Sequence, residues 1–127
     1  MSRDGSITLP FADGPKTFRM AWGELIKLQE HCDAGPFVVY TRLMTGGWKM
    51  GDISNTIRLG LIGGGMPAPE ALTFVQQYVE TRPPVESLPL AQGILGTALQ
   101  GAPDEAPGEP EGEAATASTT SPTGNGE

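Results

Sequence analysis

The sequence predicts a mainly α-helical fold in which an N-terminal β-hairpin packs on a bundle of about five short helices, with a disordered acidic tail after them. Apolar residues first alternate with polar or small ones, as in paired strands. They then recur at helical spacing in segments that glycine or proline ends. From Gly101 onward the chain has no aromatic residue and no Val, Leu or Ile, so burial cannot offset its ordering entropy. We therefore place the folded domain at residues 1–100 and the tail at residues 101–127.

The acidic residues are unevenly distributed along the chain. There are 15 acidic and 8 basic residues, and six of the acids lie after Gly101, where there is no Lys or Arg. The basic residues are scattered singly, whereas nonspecific binding to nucleic acid requires clustered cations. No segment has the pattern of a signal peptide or the ~18 apolar residues of a membrane span. We therefore expect a cytoplasmic protein whose partners are neither nucleic acid nor membrane.

The hairpin is predicted between residues 7 and 20. Two runs of alternating residues flank Asp13 and Gly14, a dipeptide typical of hairpin turns. Pro10 has no N–H to donate, so its strand must lie at a sheet edge or a bulge. A two-stranded ribbon is not stable alone in water, so it is expected to pack on helices. The alternating apolar residues are Ile7, Leu9, Phe11, Phe18 and Met20.

The first two predicted helices are bounded by glycine and proline. One is expected over residues 21–32, with Gly35 as a left-handed cap. The other is expected to run from Pro36, which the first turn of a helix tolerates, to the glycines at 46–47. A strand through Val38 and Val39 is the alternative for this segment. The residues of the first helix that recur at helical spacing are Trp22, Leu25, Ile26 and Gln29.

Three further helices are expected. One, over residues 53–62, should begin near Asp52, whose carboxylate favours free N–H groups. Two others, at 68–82 and 85–100, are separated by prolines 83 and 84, and Pro89 requires the last helix to start close to it. The expected apolar faces contain Ile53, Ile57, Gly60 and Leu61 in the first of these helices; Leu72, Val75 and Val79, with Phe74 and Tyr78 adjoining, in the second; and Leu90, Ile94 and Leu95 in the third.

Gly63, Gly64 and Gly65 form a triplet between the third and fourth helices. A phosphate-binding P-loop needs a preceding strand and a following Lys with Ser or Thr, but Met66 and Pro67 follow here and the preceding segment is helical. The spacing of dinucleotide-binding glycines is not matched either. We interpret the triplet as a structural turn in which Gly63 takes the left-handed conformation that ends a helix, and we expect no cofactor.

Cys32 and its neighbour His31 do not form a recognisable reactive site. A single cysteine makes no intramolecular disulfide, and one His with one Cys does not complete a metal site. Side chains adjacent in a helix point apart, so we interpret the pair as a partly exposed helix end and not as a catalytic dyad. The sequence indicates a non-enzymatic interaction domain with no catalytic, cofactor or metal residues.

Trp48, Leu59, Ile62 and Met66 are the candidate partner-binding residues. The last three form an apolar stripe apart from the main apolar face of their helix, and this stripe is either buried core or a partner-binding groove. Trp48 is either a core residue that holds its loop or an interface anchor. Arg58 is a polar neighbour that would orient a partner.

The order of these segments resembles the small tail proteins of gene transfer agents and siphophage-like prophages, which are labelled tail-assembly chaperone or tail tube protein. The resemblance rests on the hairpin and on "WGELIKLQE", "WKMGDISNTIRLGLIGGG" and "PLAQGILGTALQG", and it covers roughly residues 7–101. It implies a virion-morphogenesis protein without catalytic residues. Such a protein would bind the tape-measure protein and keep its apolar helices soluble until tube subunits polymerise around it.

Three functions remain open on the sequence. A tube subunit needs extended strands that close a ring through sheets between subunits, whereas this chain offers one short hairpin and at least four helices. That content favours a tail-assembly chaperone whose partners are the tape-measure protein and tail tube subunits. The alternatives are a structural tail tube subunit of the particle and a small cytosolic regulatory or toxin–antitoxin protein.

Overall fold

The computed structural model describes residues 5–101, in which a two-stranded antiparallel hairpin precedes five helices. This confirms the predicted fold class. The predicted disordered tail, after Gly101, lies outside the described residues. In chain order the elements are β1 (Ile7–Phe11), β2 (Gly14–Phe18), α1 (Trp22–Cys32), α2 (Pro36–Thr45), α3 (Met50–Gly63), α4 (Ala68–Tyr78) and α5 (Pro84–Gln100).

The hairpin turns through a two-residue loop, Ala12 and Asp13. The predicted turn at residues 13–14 is wrong by one residue, because Ala12 takes the positive φ of 59° and Gly14 already pairs with Phe11. The predicted alternation is confirmed, since the inward side chains pack on the helices. These side chains are Ile7, Leu9, Phe11 and Phe18.

Pro10 lies opposite Pro15 in the hairpin register. Neither residue has an N–H, so the two form a non-hydrogen-bonded pair whose backbone polar groups point away from each other. Pro10 therefore removes a donor from the outer edge of β1. The other edge, that of β2, is covered by α3, because the N–H of Arg19 donates to the carbonyl of Gly60 at 2.9 Å.

α3 is the central helix and contacts β2 and each of the other four helices described. A helix that is surrounded in this way buries apolar residues on every face and not on one stripe. Ile53, Ile57 and Leu61 are buried, as predicted, and so is Leu59, which is 1% exposed. Core residues from the surrounding elements include Phe18, Met20, Leu28, Val39, Leu43, Val75, Ile94 and Leu95.

The buried side of α1 is not the one predicted from the spacing of its apolar residues. Leu28 and Cys32 are its buried residues, whereas Trp22 is 83% and Ile26 51% exposed. Both sets recur at helical intervals, so the period alone does not choose the buried side.

α2 is a helix, and the strand alternative for this segment is wrong. It starts at Pro36 as predicted, and Gly46 ends it with a φ of 94°. The expected left-handed cap at Gly35 is also wrong. Asp33 ends α1 in that conformation with a φ of 54°, which leaves Gly35 in an extended conformation before α2.

α4 buries a stripe that begins with Ala71. Phe74, Val75 and Val79 are buried, which confirms that part of the prediction, but Leu72 is 48% exposed. The aromatic side of the helix faces the hairpin, where Phe74 packs against Phe11 with ring centroids 5.8 Å apart. This contact turns Leu72 outward.

α5 begins at Pro84 and contains Pro89 in its second turn. The expectation that the helix starts close to Pro89 is therefore wrong: Pro89 lies inside the helix, past its first turn, and cannot donate the helical hydrogen bond to the carbonyl of Val85. Ile94 and Leu95 are buried and Leu90 is half-buried, in agreement with the predicted stripe.

Candidate functional site

The glycine triplet lets the end of α3 pack closely against the backbone of β2 and the residue after it. A Cβ at Gly63 would overlap the carbonyl oxygen of Arg19, and a Cβ at Gly64 would overlap that of Thr17. The predicted left-handed conformation at Gly63 is wrong, because α3 runs through Gly63 and the positive φ, 115°, belongs to Gly65. Two of the three glycines are therefore required by close backbone approach and the third by its conformation.

The N–H groups at the triplet are already used within the protein. Gly64 donates to the carbonyl of Gly60 at 2.9 Å, Gly65 to that of Ile62 at 3.0 Å, and Met66 to that of Leu61 at 2.9 Å. The triplet also lies at the C-terminal end of a helix, where the dipole disfavours an anion. These bonds make a chain reversal and leave no cradle for a phosphate.

The candidate partner-binding residues do not form one surface. Leu59 is buried, so its assignment to a partner-binding surface is corrected: a partner reaches it only if the core opens. Ile62, Met66 and Trp48 are half-buried and pack against the core. The reason is the central position of α3, whose second apolar stripe is covered by neighbouring elements.

Distance along α3 also separates these residues. Trp48 precedes the helix and Met66 follows it, and the helix has 14 residues, which corresponds to about 21 Å. Arg58 is half-buried, and its Nη2 donates to Oδ1 of Asn55 at 3.1 Å. The structure therefore brings Ile62 and Met66 near one end of α3 and Trp48 near the other.

Cys32 lies in the core and not at a partly exposed helix end, so that interpretation is corrected; only its neighbour His31 is exposed. Burial, helped by the nearby carboxylate of Asp52, raises the pKa of the Cys32 thiol to about 12, against the opposing charges of Arg42 and Lys49. A thiol with so high a pKa is a poor nucleophile near neutral pH.

An exposed apolar surface lies on α2, and we call it the α2 face. Phe37, Val38 and Met44 are 63%, 50% and 53% exposed, and Thr41 and Thr45 complete the exposed residues of this helix. No charged residue lies among them. The side chain of Arg42, the one charge on α2, is directed to Asp52.

The two threonines do not make the α2 face polar. The hydroxyl of Thr41 donates to the carbonyl of Phe37 at 2.9 Å, and that of Thr45 donates to the carbonyl of Thr41 at 2.7 Å. Their donors are thus used within the helix. The face presents methyl, thioether and aromatic groups at the i, i+4, i+7 spacing by which amphipathic helices recognise one another.

A shallow groove of about 230 Å³ lies beside this face, between α1 and the start of α2. We call it the α1 groove. It meets the α2 face at Pro36, which lines the groove and directly precedes Phe37. Its lining residues are Trp22, Leu25, Ile26, Gln29 and Pro36.

A second groove, of about 280 Å³, lies where α3 begins and α4 ends. Met50, Ile53 and Val79 give it an apolar floor, but Glu80 and Arg82 also line it. The α2 face and the α1 groove contain no charged residue, so we take these two as the candidate functional site.

Sequence reasoning did not find this site. The sequence did contain an indication of it. Arg42 is the only charged residue in α2, so this helix has more apolar positions than a single buried stripe needs. Val39 and Leu43 account for the buried side. Phe37, Val38 and Met44 are the excess, and they lie on the surface.

None of the helices in the described part, residues 5–101, is long and apolar enough to cross a membrane. Comparison with known proteins identifies one family. The family model described as "Phage tail tube protein, GTA-gp10" matches residues 4–101, whereas no curated protein and no solved structure matches the chain. The match takes in the hairpin and all five helices, and it agrees with the resemblance noted in the sequence. The chain therefore belongs to the GTA-gp10 family of phage tail tube proteins, and its role is related to phage-type tails.

Proposed function

We propose that this protein is a tail-assembly chaperone that binds the tape-measure protein through the α2 face and the α1 groove. The observation that carries the proposal is the α2 face, a helix surface with large exposed apolar side chains and no charge. Large exposed apolar patches on soluble proteins commonly mark binding sites. An apolar helical client is the kind of partner that such a face binds.

The family description favours a second candidate, a structural subunit of the tail tube. Such a subunit would pair its strands with those of its neighbours. In residues 5–101 the outer edge of β1 is the strand edge that α3 leaves uncovered, and Pro10 removes a donor from it. Proline at an edge is a common means of preventing strand addition, so the hairpin supports the chaperone better than the tube subunit.

Co-expression with the tape-measure protein tests the chaperone. We expect the tape-measure protein to be soluble and to co-purify with the wild-type chain. It should be largely insoluble when the double variant Phe37→Ser and Met44→Ser replaces the wild type. Leu72→Ser is the matched control, because Leu72 is a similarly exposed apolar residue on α4. Equal recovery with all three chains would contradict the proposal.

The content of finished particles separates the two candidates. An immunoblot of purified tails, calibrated with the pure protein, should detect little or none of a chaperone, which leaves before assembly is complete. Amounts comparable to the main tube protein, with immunogold label along the tail, would establish the structural subunit instead. The place of action is then the host cytoplasm in the first case and the particle in the second.

A further inference from the structure

The exposed residues of the α2 face are placed symmetrically about Thr41. Val38 and Met44 lie three positions before and after Thr41. Phe37 and Thr45 lie four positions before and after it. At about 100° per residue, Thr41 is therefore at the middle of an exposed arc of roughly 120°. A face that is centred in this way can pack on a second copy of itself, with the helices antiparallel and the two-fold axis at the central residue.

The α2 face is complementary to itself when two copies pack antiparallel about Thr41. Phe37 and Met44 lie on the same side of the line that runs along α2 through Thr41, so Phe37 of each copy meets Met44 of the other. Val38 and Thr45 lie on the opposite side of this line and meet in the same way. An aromatic ring and a thioether make a favourable contact, and a small residue at the crossing point lets two helices approach closely.

No like-charge repulsion opposes this pairing on the face itself. A charged residue close to a two-fold axis faces its own copy and is repelled by it, but the α2 face has no charged residue. Arg42, the one charged residue of α2, is held by two hydrogen bonds of 2.9 Å to the carboxylate of Asp52. The hydroxyls of Thr41 and Thr45 already donate within α2, so their burial leaves no unpaired donor.

The apolar area exposed at this site is about that of a stable dimer interface. Trp22 of the α1 groove and Phe37 are 83% and 63% exposed, which amounts to roughly 300 Å² for the two aromatic side chains. Ile26, Val38 and Met44 are about half exposed and bring the apolar area to roughly 450 Å² per copy. A stable interface buries about 800 Å² per partner, of which roughly 60% is apolar. The site is therefore large enough to hold two copies together.

We infer that two copies of this chain pair through their α2 faces in an antiparallel, two-fold arrangement with Thr41 at the axis. The Met44 end of the second copy then lies beside the α1 groove, because Pro36 joins that groove to Phe37. The second copy covers the apolar site while no client is bound. The inference rests on the proposed function only for the identity of the client that displaces the second copy, and the pairing itself stands on the geometry of the α2 face.

Charges placed at Thr41 test the pairing with the full chain. Sedimentation equilibrium at ~0.15 M salt should show the wild type forming dimers. Thr41→Glu and Thr41→Lys should each raise the dissociation constant of the dimer at least about tenfold, because like charges meet across the axis. An equimolar mixture of the two variants should pair more tightly than either variant alone, because opposite charges then meet. A wild-type chain that stays monomeric up to ~0.1 mM would overturn the inference.

Thr73→Glu is the matched control for these variants. Thr73 is an exposed threonine of α4 whose hydroxyl donates to the carbonyl of Pro69 at 3.2 Å, as that of Thr41 donates four residues back in α2, and its substitution should leave the dimer unchanged. If a Thr41 variant loses its helical circular dichroism, Val38→Gln takes its place and should weaken the dimer about tenfold. Equal weakening by Thr73→Glu, an undiminished dimer in the α2 variants, or no gain in the mixture would overturn the arrangement.

Failure of the proposed function gives a different pattern from failure of this inference. If the wild type forms the dimer and Thr41 responds as described, but the tape-measure protein does not co-purify, the pairing stands and the chaperone proposal fails. If the tape-measure protein co-purifies but the chain alone sediments as a monomer, the chaperone stands and the inference is overturned.

Discussion

Arg42 and Asp52 form a two-point ion pair where α1, α2 and α3 meet. Nε and Nη2 of the arginine donate to the two carboxylate oxygens, each at 2.9 Å, and the carboxylate also accepts the N–H of Lys49 at 2.9 Å. Nη2 reaches the carbonyl of Cys32 at 3.4 Å. The pair thus joins the end of α1, the last turn of α2 and the first turn of α3.

Substitution of Arg42 should strongly destabilise the protein, because Arg42 pairs with a buried carboxylate. Arg42→Ala leaves the buried carboxylate of Asp52 without its cation, which we expect to lower the free energy of unfolding by about 3 kcal/mol. Urea denaturation followed by circular dichroism measures the change. Arg82→Ala is the matched control, because its pairing with Glu86 is exposed and 3.9 Å long, and it should change stability by less than ~0.5 kcal/mol. Similar losses in both variants would contradict the role given to the buried pair.

Alanine substitutions in the glycine triplet should lower stability by different amounts, according to the surroundings of each glycine. Gly63→Ala and Gly64→Ala place a Cβ on backbone carbonyl oxygens, which cannot move without lifting β2, so each should cost about 3 kcal/mol or prevent folding. Gly65→Ala meets no atom but keeps a positive φ, so about 1 kcal/mol is expected. Thermal melting of the three variants measures the order.

Gly23→Ala is the opposite control for this series. Gly23 lies within α1 with open space around its Cα, so alanine should stabilise the protein by up to ~1 kcal/mol. A larger loss at Gly65 than at Gly63 would show that conformation, and not close approach, determines the triplet.

Cys32 should report unfolding through its reactivity. Because the thiol is buried and its pKa is raised to about 12, a thiol reagent at pH 8 should label the folded chain only as fast as the core opens, and urea should accelerate labelling. The raised pKa also favours the folded state below the pKa of about 9 of an exposed thiol. That contribution should be lost as the pH rises from about 9 towards 12.

Cys32→Ser provides the control for both measurements, since it removes the labelling. It should also remove the thiol's share of the alkaline loss of stability. Rapid labelling of the folded wild type at pH 8 would contradict the buried position of the thiol.

Leu59 should behave as a core residue. Leu59→Ala removes a side chain that is 1% exposed, and we expect a loss of about 3 kcal/mol from the lost burial and the cavity left behind. Met44→Ala, at 53% exposure, should change stability by less than ~1 kcal/mol. Denaturant midpoints compare the two. If the Leu59 variant is stable but binds the tape-measure protein poorly, the stripe of Leu59, Ile62 and Met66 is a partner-binding surface after all.

Local signals were enough to predict most of the fold. Pro36, the glycines after α2 and the prolines at 83 and 84 end or start helices for reasons that lie in their own backbone chemistry, and each segment between these residues has room for about one helix. Alternation in the hairpin likewise identified its inner face.

Which side of each helix is buried could not be predicted in the same way. The spacing of Trp22 and Ile26 is as regular as that of Leu28 and Cys32, and only the position of α3 decides between them. The same cause explains Leu59, because a central helix buries both of its apolar stripes. The candidate site was missed because α2, unlike α3, has more apolar residues than its neighbours can cover.

The junction between β2 and α3 also bears on the order of folding. The bond from Arg19 to Gly60 and the approach of Thr17 to Gly64 connect residues roughly forty to fifty positions apart, so their formation closes a long loop and carries the corresponding entropy. The contacts within the hairpin and between α1 and α2 are far more local. We therefore expect the hairpin to dock late, together with the contact between α2 and α5, whose residues Leu43 and Gln92 are 49 positions apart, after the more local helix pairs have formed. Substitutions at this junction would then accelerate unfolding while leaving the refolding rate nearly unchanged.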